Sequence, residues 1–265
     1  MNMRVLLSTA IGVFVGIAAG AQAPSTVPYD HIHLSAPDPE KAYAWYAANL
    51  NGLDGENPGR MVFEPFTGQR PLPVQLMFLK APEAAPSEGS IIESIAFSVP
   101  DVDARLRRFE AAGARMVAPA AVVDPWGVTI ELVDDSEYRG LHHITLRVPD
   151  IEGSMTWFAA AFGGARTTLR GGLHALRYDR TFIAFRQGRG VPSQGRAIDH
   201  LGWMPPSMDA LQTSLTAHGV LFTTRPSPKP NQLGHRTGYV DAPGGARIEL
   251  VEHTDCKWGQ VRATR

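Results

Sequence analysis

The stretch HHITLRVPDIEGSMTWFAAAFGG, residues 142–164, contains the pattern that decides the fold. It begins with alternating apolar and polar residues, which are typical of a β-strand with one buried face. A Pro-Asp pair follows, and Asp150 is a residue type that caps the start of a helix. Apolar side chains then recur at helical spacing up to Gly163, a residue type that ends helices. The stretch therefore predicts a strand, a capped helix and a turn.

The same pattern occurs four times along the chain. The other copies are DHIHLSAPDPEKAYAWYAANLNG, ESIAFSVPDVDARLRRFEAAGA and DHLGWMPPSMDALQTSLTAHGV. In every copy a helix-capping residue lies seven positions after the residue at the head of the strand. The head and cap pairs are His31 and Asp38, Ser94 and Asp101, His143 and Asp150, and His200 and Ser207. Four recurrences of one spacing indicate an internal repeat.

Shorter alternating runs such as PVQLMFLK, GVTIELV, TFIAFRQ and ARIELVE follow the helices. Each repeat is therefore predicted to be a βαβββ module, and the chain an α+β protein of four modules. We place a domain boundary near Glu137 to Gly140, between modules two and three. This predicts an N-terminal domain over residues 22–138 and a C-terminal domain over residues 139–265.

Composition narrows the class of function. The chain has 265 residues, a formal net charge of −1 and 44% hydrophobic residues, which indicate a soluble globular protein with a substantial core. Interspersed acidic and basic residues give no electrostatic footprint for nucleic acid, so a small-molecule partner is favoured. Cys256 is the single cysteine, which excludes an internal disulfide and a thiolate metal cluster.

The first residues, MNMRVLLSTAIGVFVGIAAGAQAPS, have the layout of a signal peptide. Arg4 precedes an apolar run from Val5 to about Ala19, and small residues follow in an A-x-A arrangement. We expect cleavage after Ala21, so that residues 1–21 are removed and the mature protein is periplasmic or secreted, without a membrane anchor. The alternative is an uncleaved anchor, for which the run is short against the roughly 20 apolar residues of a membrane span.

Strand alternation separates the side chains of each module into two faces. In module three Ile144 and Leu146 suit the face under the helix, which leaves His143 on the concave face and puts His142 on the packed side. By the same rule His31 and His200 face the concave side. In the strands GVTIELV and GARIELV, so do Glu131 and Glu249.

His143, His200 and Glu249 are the predicted metal ligands. Two imidazoles and one carboxylate can hold a divalent ion on one face and leave positions for substrate and for oxygen or water. The bound ion would keep one net positive charge, which favours a chelating anionic or enolic oxygen ligand. The alternative for each histidine is a hydrogen-bonded structural role. In the N-terminal half the equivalent positions are His31, Glu131 and Ser94, and serine is a weak substitute, so that half is predicted to be a degenerate site or a substrate-capping lobe.

These motifs resemble the vicinal oxygen chelate superfamily. It includes glyoxalase I, bleomycin and fosfomycin resistance proteins, methylmalonyl-CoA epimerase and extradiol ring-cleavage dioxygenases. The resemblance implies that the modules pair into two curved half-barrel, glyoxalase-like domains around a metal. GLHHITLRVPD matches the extradiol ligand pattern at His143, AIDHLGWM at His200 and GYVDAPGGARIEL at Glu249. It also implies a substrate-binding role for Tyr239, and His235 is a candidate proton-transfer group.

Two departures from the extradiol and glyoxalase I patterns keep the reaction open. Extradiol enzymes carry a further acid/base histidine where this chain has Tyr178 and Arg180, and glyoxalase I would have a glutamate in both modules of its pair. The leading hypothesis is an exported metal-dependent enzyme with Fe(II) favoured over Mn, Zn or Ni. Its alternatives are a glyoxalase-like lyase or isomerase with another divalent metal, a small-molecule-binding resistance-type protein without catalysis, and a structural repeat. The modules would pair either within one chain or across a homodimer.

Overall fold

The computed structural model describes residues 26–55, 59–63 and 73–253. The predicted signal peptide lies outside these residues. The described chain contains four copies of a strand, a helix and three further strands, which confirms the predicted βαβββ modules and the α+β class. None of the helices in this part of the chain is long and apolar enough to cross a membrane.

The modules have the following elements. Module one contains β1 (Tyr29–Ala36), α1 (Pro39–Leu50), β2 (Gly52–Asp54), β3 (Arg60–Phe63) and β4 (Gln75–Lys80). Module two contains β5 (Ile92–Ser98), α2 (Val102–Ala111), β6 (Arg115–Ala118), β7 (Ala121–Val123) and β8 (Thr129–Val133). Module three contains β9 (Gly140–Val148), α3 (Ile151–Phe162), β10 (Ala165–Leu169), β11 (Leu173–Tyr178) and β12 (Thr181–Gln187). Module four contains β13 (Ile198–Trp203), α4 (Met208–Ala217), β14 (Phe222–Thr224), β15 (His235–Ala242) and β16 (Ala246–His253).

The four predicted capping residues all cap helices. Asp38, Asp101, Asp150 and Ser207 have extended backbones, and each side chain accepts a hydrogen bond from the backbone N–H three residues later. This bond satisfies one of the amide groups that a helix start leaves without a partner. The repeated spacing in the sequence is thus a repeated helix start, and it fixes where each module turns from strand to helix.

The modules pair into sheets differently from the predicted domains. One eight-stranded sheet has the order β14-β15-β16-β13-β1-β4-β3-β2, and the other β10-β11-β12-β9-β5-β8-β7-β6. Module one therefore pairs with module four, and module two with module three. The prediction of one domain over residues 22–138 and another over 139–265 is wrong, because β1 pairs antiparallel with β13, and β5 with β9. All four modules pair within one chain.

A shared core joins the two sheets. The main apolar cluster takes residues from both sheets and from all four helices. Trp203 of β13 is fully buried and stacks on Phe162 of α3 at 4.4 Å between ring centres and on Tyr29 of β1 at 4.7 Å. The indole of Trp45 on α1 stacks on Phe109 of α2. Modules from different sheets therefore pack against each other through large aromatic side chains, whose burial contributes much of the core energy.

Candidate metal centre

Three histidines and one glutamate converge on one face of the first sheet. His31 and His33 lie on β1, His200 on β13 and Glu249 on β16, which are neighbouring strands. One potential ligand atom from each side chain lies within 4.8 Å of the others, and all four residues are buried. Alternation along β1 puts its two histidines on one face, and the register places His33 directly opposite His200. We refer to these four residues as the His3Glu cluster.

Gly202 makes room for the ring of His31. The register pairs Gly202 with His31 on one side and with Glu249 on the other. A Cβ atom at position 202 would lie 2.0 Å from Cε1 of His31. Any other residue at this position would displace the imidazole, so the absent side chain is part of the architecture of the cluster.

Two β-bulges place a carboxylate behind two of the histidines. The pairing of β1 with β13 slips by one residue between Tyr29 and His31, and again between His33 and Leu34. The extra residues are Asp30 on β1 and Asp199 on β13. Asp30 accepts a hydrogen bond from Nδ1 of His31 at 2.7 Å, and Asp199 accepts one from Nδ1 of His200 at 2.5 Å. A bulge re-aims side chains in this way because it interrupts the alternation of faces.

These carboxylates orient the rings of His31 and His200. With each Nδ1–H donated to an aspartate, Nε2 of each ring points into the cluster, and both Nε2 atoms lie 3.1 Å from Oε2 of Glu249. A neutral imidazole held this way presents the lone pair of Nε2. Metal-binding histidines characteristically have such a carboxylate behind the ring, since it fixes the tautomer and raises the basicity of the ligand atom.

The protonation of the metal-free cluster follows from its crowding. Burial alone would lower the pKa of His31, but its hydrogen bonds to Asp30 and Glu249 outweigh burial and raise the pKa to about 9. Burial, with the neighbouring His31 and His200, lowers the pKa of His33 to about 2. Burial would raise the pKa of Glu249, but its close contacts with His200 and His31 hold that pKa well below its usual range. In the metal-free cluster His31 is therefore protonated at neutral pH, and its positive charge offsets the negative charge of Glu249.

The donor set fits a divalent metal ion. Nδ1 of His33 lies 2.5 Å from Nε2 of His200, so two imidazole nitrogens and a carboxylate oxygen point at the same small volume. Three nitrogens and one carboxylate suit zinc and the first-row transition metals. His31, His33, His200 and Glu249 would hold the ion, with Asp30 and Asp199 hydrogen-bonded behind two of them.

Tyr239 and Arg247 lie beside the cluster. The Tyr239 hydroxyl donates to Oε1 of Glu249 at 2.9 Å, so it lies against the predicted ligand Glu249. Burial, followed by the charge of Glu249, raises the pKa of this hydroxyl, so it stays protonated at neutral pH. The guanidinium of Arg247 lies 4.2 Å from the centre of the Tyr239 ring. His235, the other predicted catalytic residue, instead packs its ring against His253 at 4.1 Å and is not part of the cluster.

His143 is not part of the His3Glu cluster, which corrects one of the three predicted ligands. It lies on β9 in the second sheet, where its Nδ1 is 2.7 Å from Nδ1 of His142. His142 is the extra residue of another bulge, between the pairs Ala96–His143 and Phe97–Leu141. The bulge brings the two imidazole rings into contact, so the predicted separation of His142 and His143 onto opposite faces is also wrong. Burial, followed by His142 and Arg186, lowers the pKa of His143 to about 3.

The equivalent face of the second sheet holds an arginine where the first holds the His3Glu cluster. Glu131 accepts hydrogen bonds from Ser94 and from the guanidinium of Arg186, and Arg186 also donates to Glu93. Arg147 donates to the same Glu93. The predicted pair of His31 and Glu131 is therefore divided between the two sheets. The carboxylates of this second face are neutralised by guanidinium groups. The prediction of a degenerate half made of His31, Glu131 and Ser94 is therefore wrong for His31, which belongs to the His3Glu cluster.

An apolar cavity lies elsewhere in the described chain. It has a volume of about 220 Å³ and a largely apolar lining that includes Tyr29, Val74 and Tyr178. None of the His3Glu residues lines it. The chemistry of the donor set, rather than the size of a cavity, therefore identifies the candidate site.

His31 and His33 were not among the predicted ligands, and sequence reasoning missed Asp30 and Asp199. Two signals could have found them. His31 and His33 are two positions apart on one strand, and therefore share a face, and the Asp-His pair occurs at the head of both strands that supply ligands, as DHIH and as IDHL. What the sequence did not reveal was that these two strands are neighbours.

Comparison with known proteins supports the fold. The model of the family described as Glyoxalase/Bleomycin resistance protein/Dioxygenase superfamily matches residues 29–132. Glyoxalase I from Zea mays superposes with a TM-score of 0.64 at 18% identity, over 86% of this chain and 93% of its own. A protein from Bacillus subtilis subsp. subtilis str. 168, named as a candidate dioxygenase, superposes with a TM-score of 0.60 at 16% identity, over 86% of each chain. At such identities the likeness concerns the fold alone. No curated protein matches the sequence.

Proposed function

Because residues 29–132 match the model of the glyoxalase/bleomycin resistance protein/dioxygenase superfamily, we propose that the chain is a metal-dependent enzyme of that superfamily. Its substrate would be a small molecule that binds the metal through neighbouring oxygen atoms. The observation that carries the proposal is the buried His3Glu cluster, in which Asp30 and Asp199 hold two imidazoles with Nε2 directed inward. Carboxylates behind buried convergent histidines serve a metal better than they serve packing.

A divalent ion in this site would act as a Lewis acid on bound oxygen atoms, or as an oxygen-activating centre if it is iron. The chain supplies the rest. Glu249 contributes one negative charge, so a divalent ion with neutral histidines keeps one net positive charge and favours an anionic oxygen ligand. The Tyr239 hydroxyl donates a hydrogen bond to Oε1 of Glu249, which fixes the carboxylate and places a hydroxyl beside the site. That hydroxyl can donate a hydrogen bond to a substrate oxygen when Glu249 turns to the metal.

Measurements of oxygen uptake and of turnover distinguish the possible reaction types. The extradiol pattern in the sequence takes its ligands from modules three and four, whereas the cluster takes its residues from modules one and four. The ligand set therefore no longer singles out ring cleavage. Oxygen uptake with catechols after anaerobic Fe(II) loading would favour oxidation. Turnover with Mn, Zn or Ni and without oxygen uptake would favour a lyase or isomerase, and ligand binding without turnover a resistance-type role.

Metal content tests the proposal most directly. The purified protein is analysed after loading and desalting, beside His200→Ala, Glu249→Gln and the control His143→Gln. His143 is buried like His200 but lies in the other sheet. We expect about one ion per chain in the wild type and in His143→Gln, and strong loss in the other two. Equal metal content in all four proteins would refute the assignment of the site.

We further propose that the protein is exported, on the signal-peptide layout of residues 1–25. An exported protein with a single cysteine depends on packing rather than on disulfides for its stability. Cell fractionation and N-terminal sequencing test this proposal. A mature chain that begins at Gln22 is expected, and an intact Met1 in the cytoplasmic fraction would contradict it.

A further inference from the structure

Arg247 lies at the exposed edge of the His3Glu cluster. It precedes Glu249 by two residues on β16, and alternation puts both side chains on the same face. Its side chain is 23% exposed, whereas those of His31 and His200 are 1% and 2% exposed. A group that approaches the cluster from solvent can therefore meet this guanidinium before it reaches the ligand atoms.

The guanidinium of Arg247 is held in place, and most of its hydrogen-bond donors remain available. Its Nη1 donates to Oδ1 of Asp199 at 3.1 Å, and its carbon lies 4.2 Å from the centre of the Tyr239 ring. Among the residues that the structure describes, Asp199 is its one carboxylate partner. A guanidinium has five N–H donors, so this contact leaves most of them for another acceptor. Tyr239 limits the positions that the group can take, which suits recognition of a planar anion.

The arginines of the second sheet provide a comparison, because their charges are neutralised by carboxylates of the protein. Arg186 forms ion pairs with both Glu93 and Glu131, and Arg147 forms another with Glu93. There each guanidinium serves a carboxylate of the protein itself. Arg247 has no second carboxylate partner among the described residues, and its one partner, Asp199, is also engaged with His200.

The charges around the His3Glu cluster also favour an anion. Asp30 lies 3.8 Å from Arg60 and Asp199 lies 3.1 Å from Arg247, so these pairs offset each other. Glu249 then leaves one net positive charge on a bound divalent ion with neutral histidines. A ligand that carries a carboxylate beside its chelating oxygens would meet both that charge and the donors of Arg247.

We infer that Arg247 binds a carboxylate of the substrate, and that the substrate is a small carboxylate-bearing oxygen chelator. This inference rests on the proposed metal-dependent function. The probes are 3,4-dihydroxybenzoate and 4-methylcatechol, which share the vicinal hydroxyl groups and differ in the carboxylate. Their affinities for Co(II)-loaded protein are measured anaerobically from the visible spectrum of cobalt. Metal content is measured separately in every sample, and loss of metal in the wild type would count against the proposed function itself.

We expect the wild type to prefer 3,4-dihydroxybenzoate, and Arg247→Gln to weaken binding of that probe by about tenfold while it leaves 4-methylcatechol unchanged. Arg247→Lys keeps a charge near Asp199 and should lose a smaller part of the preference. Arg236→Gln is the control, because Arg236 pairs with Asp209 and Glu252 away from the cluster. The inference is wrong if the metal-loaded wild type binds neither probe, if it shows no preference, or if Arg247→Gln weakens both probes equally.

Discussion

The carboxylate of Asp199 accepts a hydrogen bond from Nδ1 of its neighbour His200 at 2.5 Å, and a β-bulge makes this contact between adjacent residues feasible. In a regular strand their side chains would point to opposite faces. Asp30 and His31 repeat the arrangement on the strand paired with it, at 2.7 Å. Two copies of the same device direct two Nε2 atoms at one glutamate, so the bulges determine the geometry of the cluster.

Replacement of Asp199 by Asn should weaken metal binding by about 10- to 100-fold. The amide oxygen can still accept from His200, but without a negative charge it no longer raises the basicity of Nε2. The affinity is measured by competition with a chromophoric chelator. Asp209→Asn is the control, because Asp209 is an exposed carboxylate whose partner is Arg236. Equal affinity in Asp199→Asn and wild type would show that the bulge carboxylate has no part in binding.

Metal binding at pH 7.5 should release about one proton per ion. Burial opposes a proton on His31, but Asp30 and Glu249 raise its pKa to about 9, so the metal-free cluster is protonated there at neutral pH. Since the ion must displace this proton, the apparent affinity should rise about tenfold per pH unit up to about pH 9 and then level off. Calorimetry in buffers of different ionisation enthalpy measures the release. A buffer-independent binding enthalpy at pH 7.5 would contradict the assignment of the proton.

Gly202→Ala should both destabilise the protein and abolish metal binding. The new Cβ would lie 2.0 Å from Cε1 of His31, and the two strands are fixed by pairing on both sides. Overpacking of this kind costs roughly 1–3 kcal/mol. The informative control is the double variant Gly202→Ala with His31→Ala, measured by urea unfolding. It should regain stability relative to Gly202→Ala and still bind no metal. A double variant no more stable than Gly202→Ala would place the strain elsewhere.

Local patterns predicted the modules because each module is decided by nearby residues. The caps Asp38, Asp101, Asp150 and Ser207 act within three residues, and alternation acts along a single strand. These signals put His200 and Glu249 on one predicted face, and the structure brings the two side chains together. They could not choose which module pairs with which, because all four open with a similar strand. That choice depends on contacts far apart in sequence, such as Trp203 on Phe162.

The bulges explain the remaining errors in the predicted site. A single extra residue breaks the period of two, and no composition signal marks it. Alternation therefore predicted that His142 lies on the packed side, whereas the bulge brings its ring into contact with His143. The same interruption hid Asp30 and Asp199 as partners of the ligand histidines. A strand pattern thus predicts faces reliably only between bulges.

Asp124 should make the fold less stable as the pH rises from about 4 to about 6. It is buried, and burial raises the pKa of its carboxyl to about 6, although Val128, Tyr46 and Trp126 donate hydrogen bonds to it. An acid whose pKa is higher in the folded than in the unfolded state binds its proton more tightly when the protein is folded. The stabilisation from the protonated carboxyl is therefore present at low pH and is lost as the pH rises through about 6.

Other carboxylates titrate over the same range, so the test is a difference between wild type and Asp124→Asn. The amide can still accept from the backbone N–H groups of Trp126 and Val128 and does not titrate. The unfolding free energy of the wild type minus that of the variant should fall by on the order of 3 kcal/mol between pH 4 and pH 7. Urea unfolding at each pH measures it. A difference that stays constant, or that grows with pH, would mean that the hydrogen bonds to Asp124 outweigh its burial.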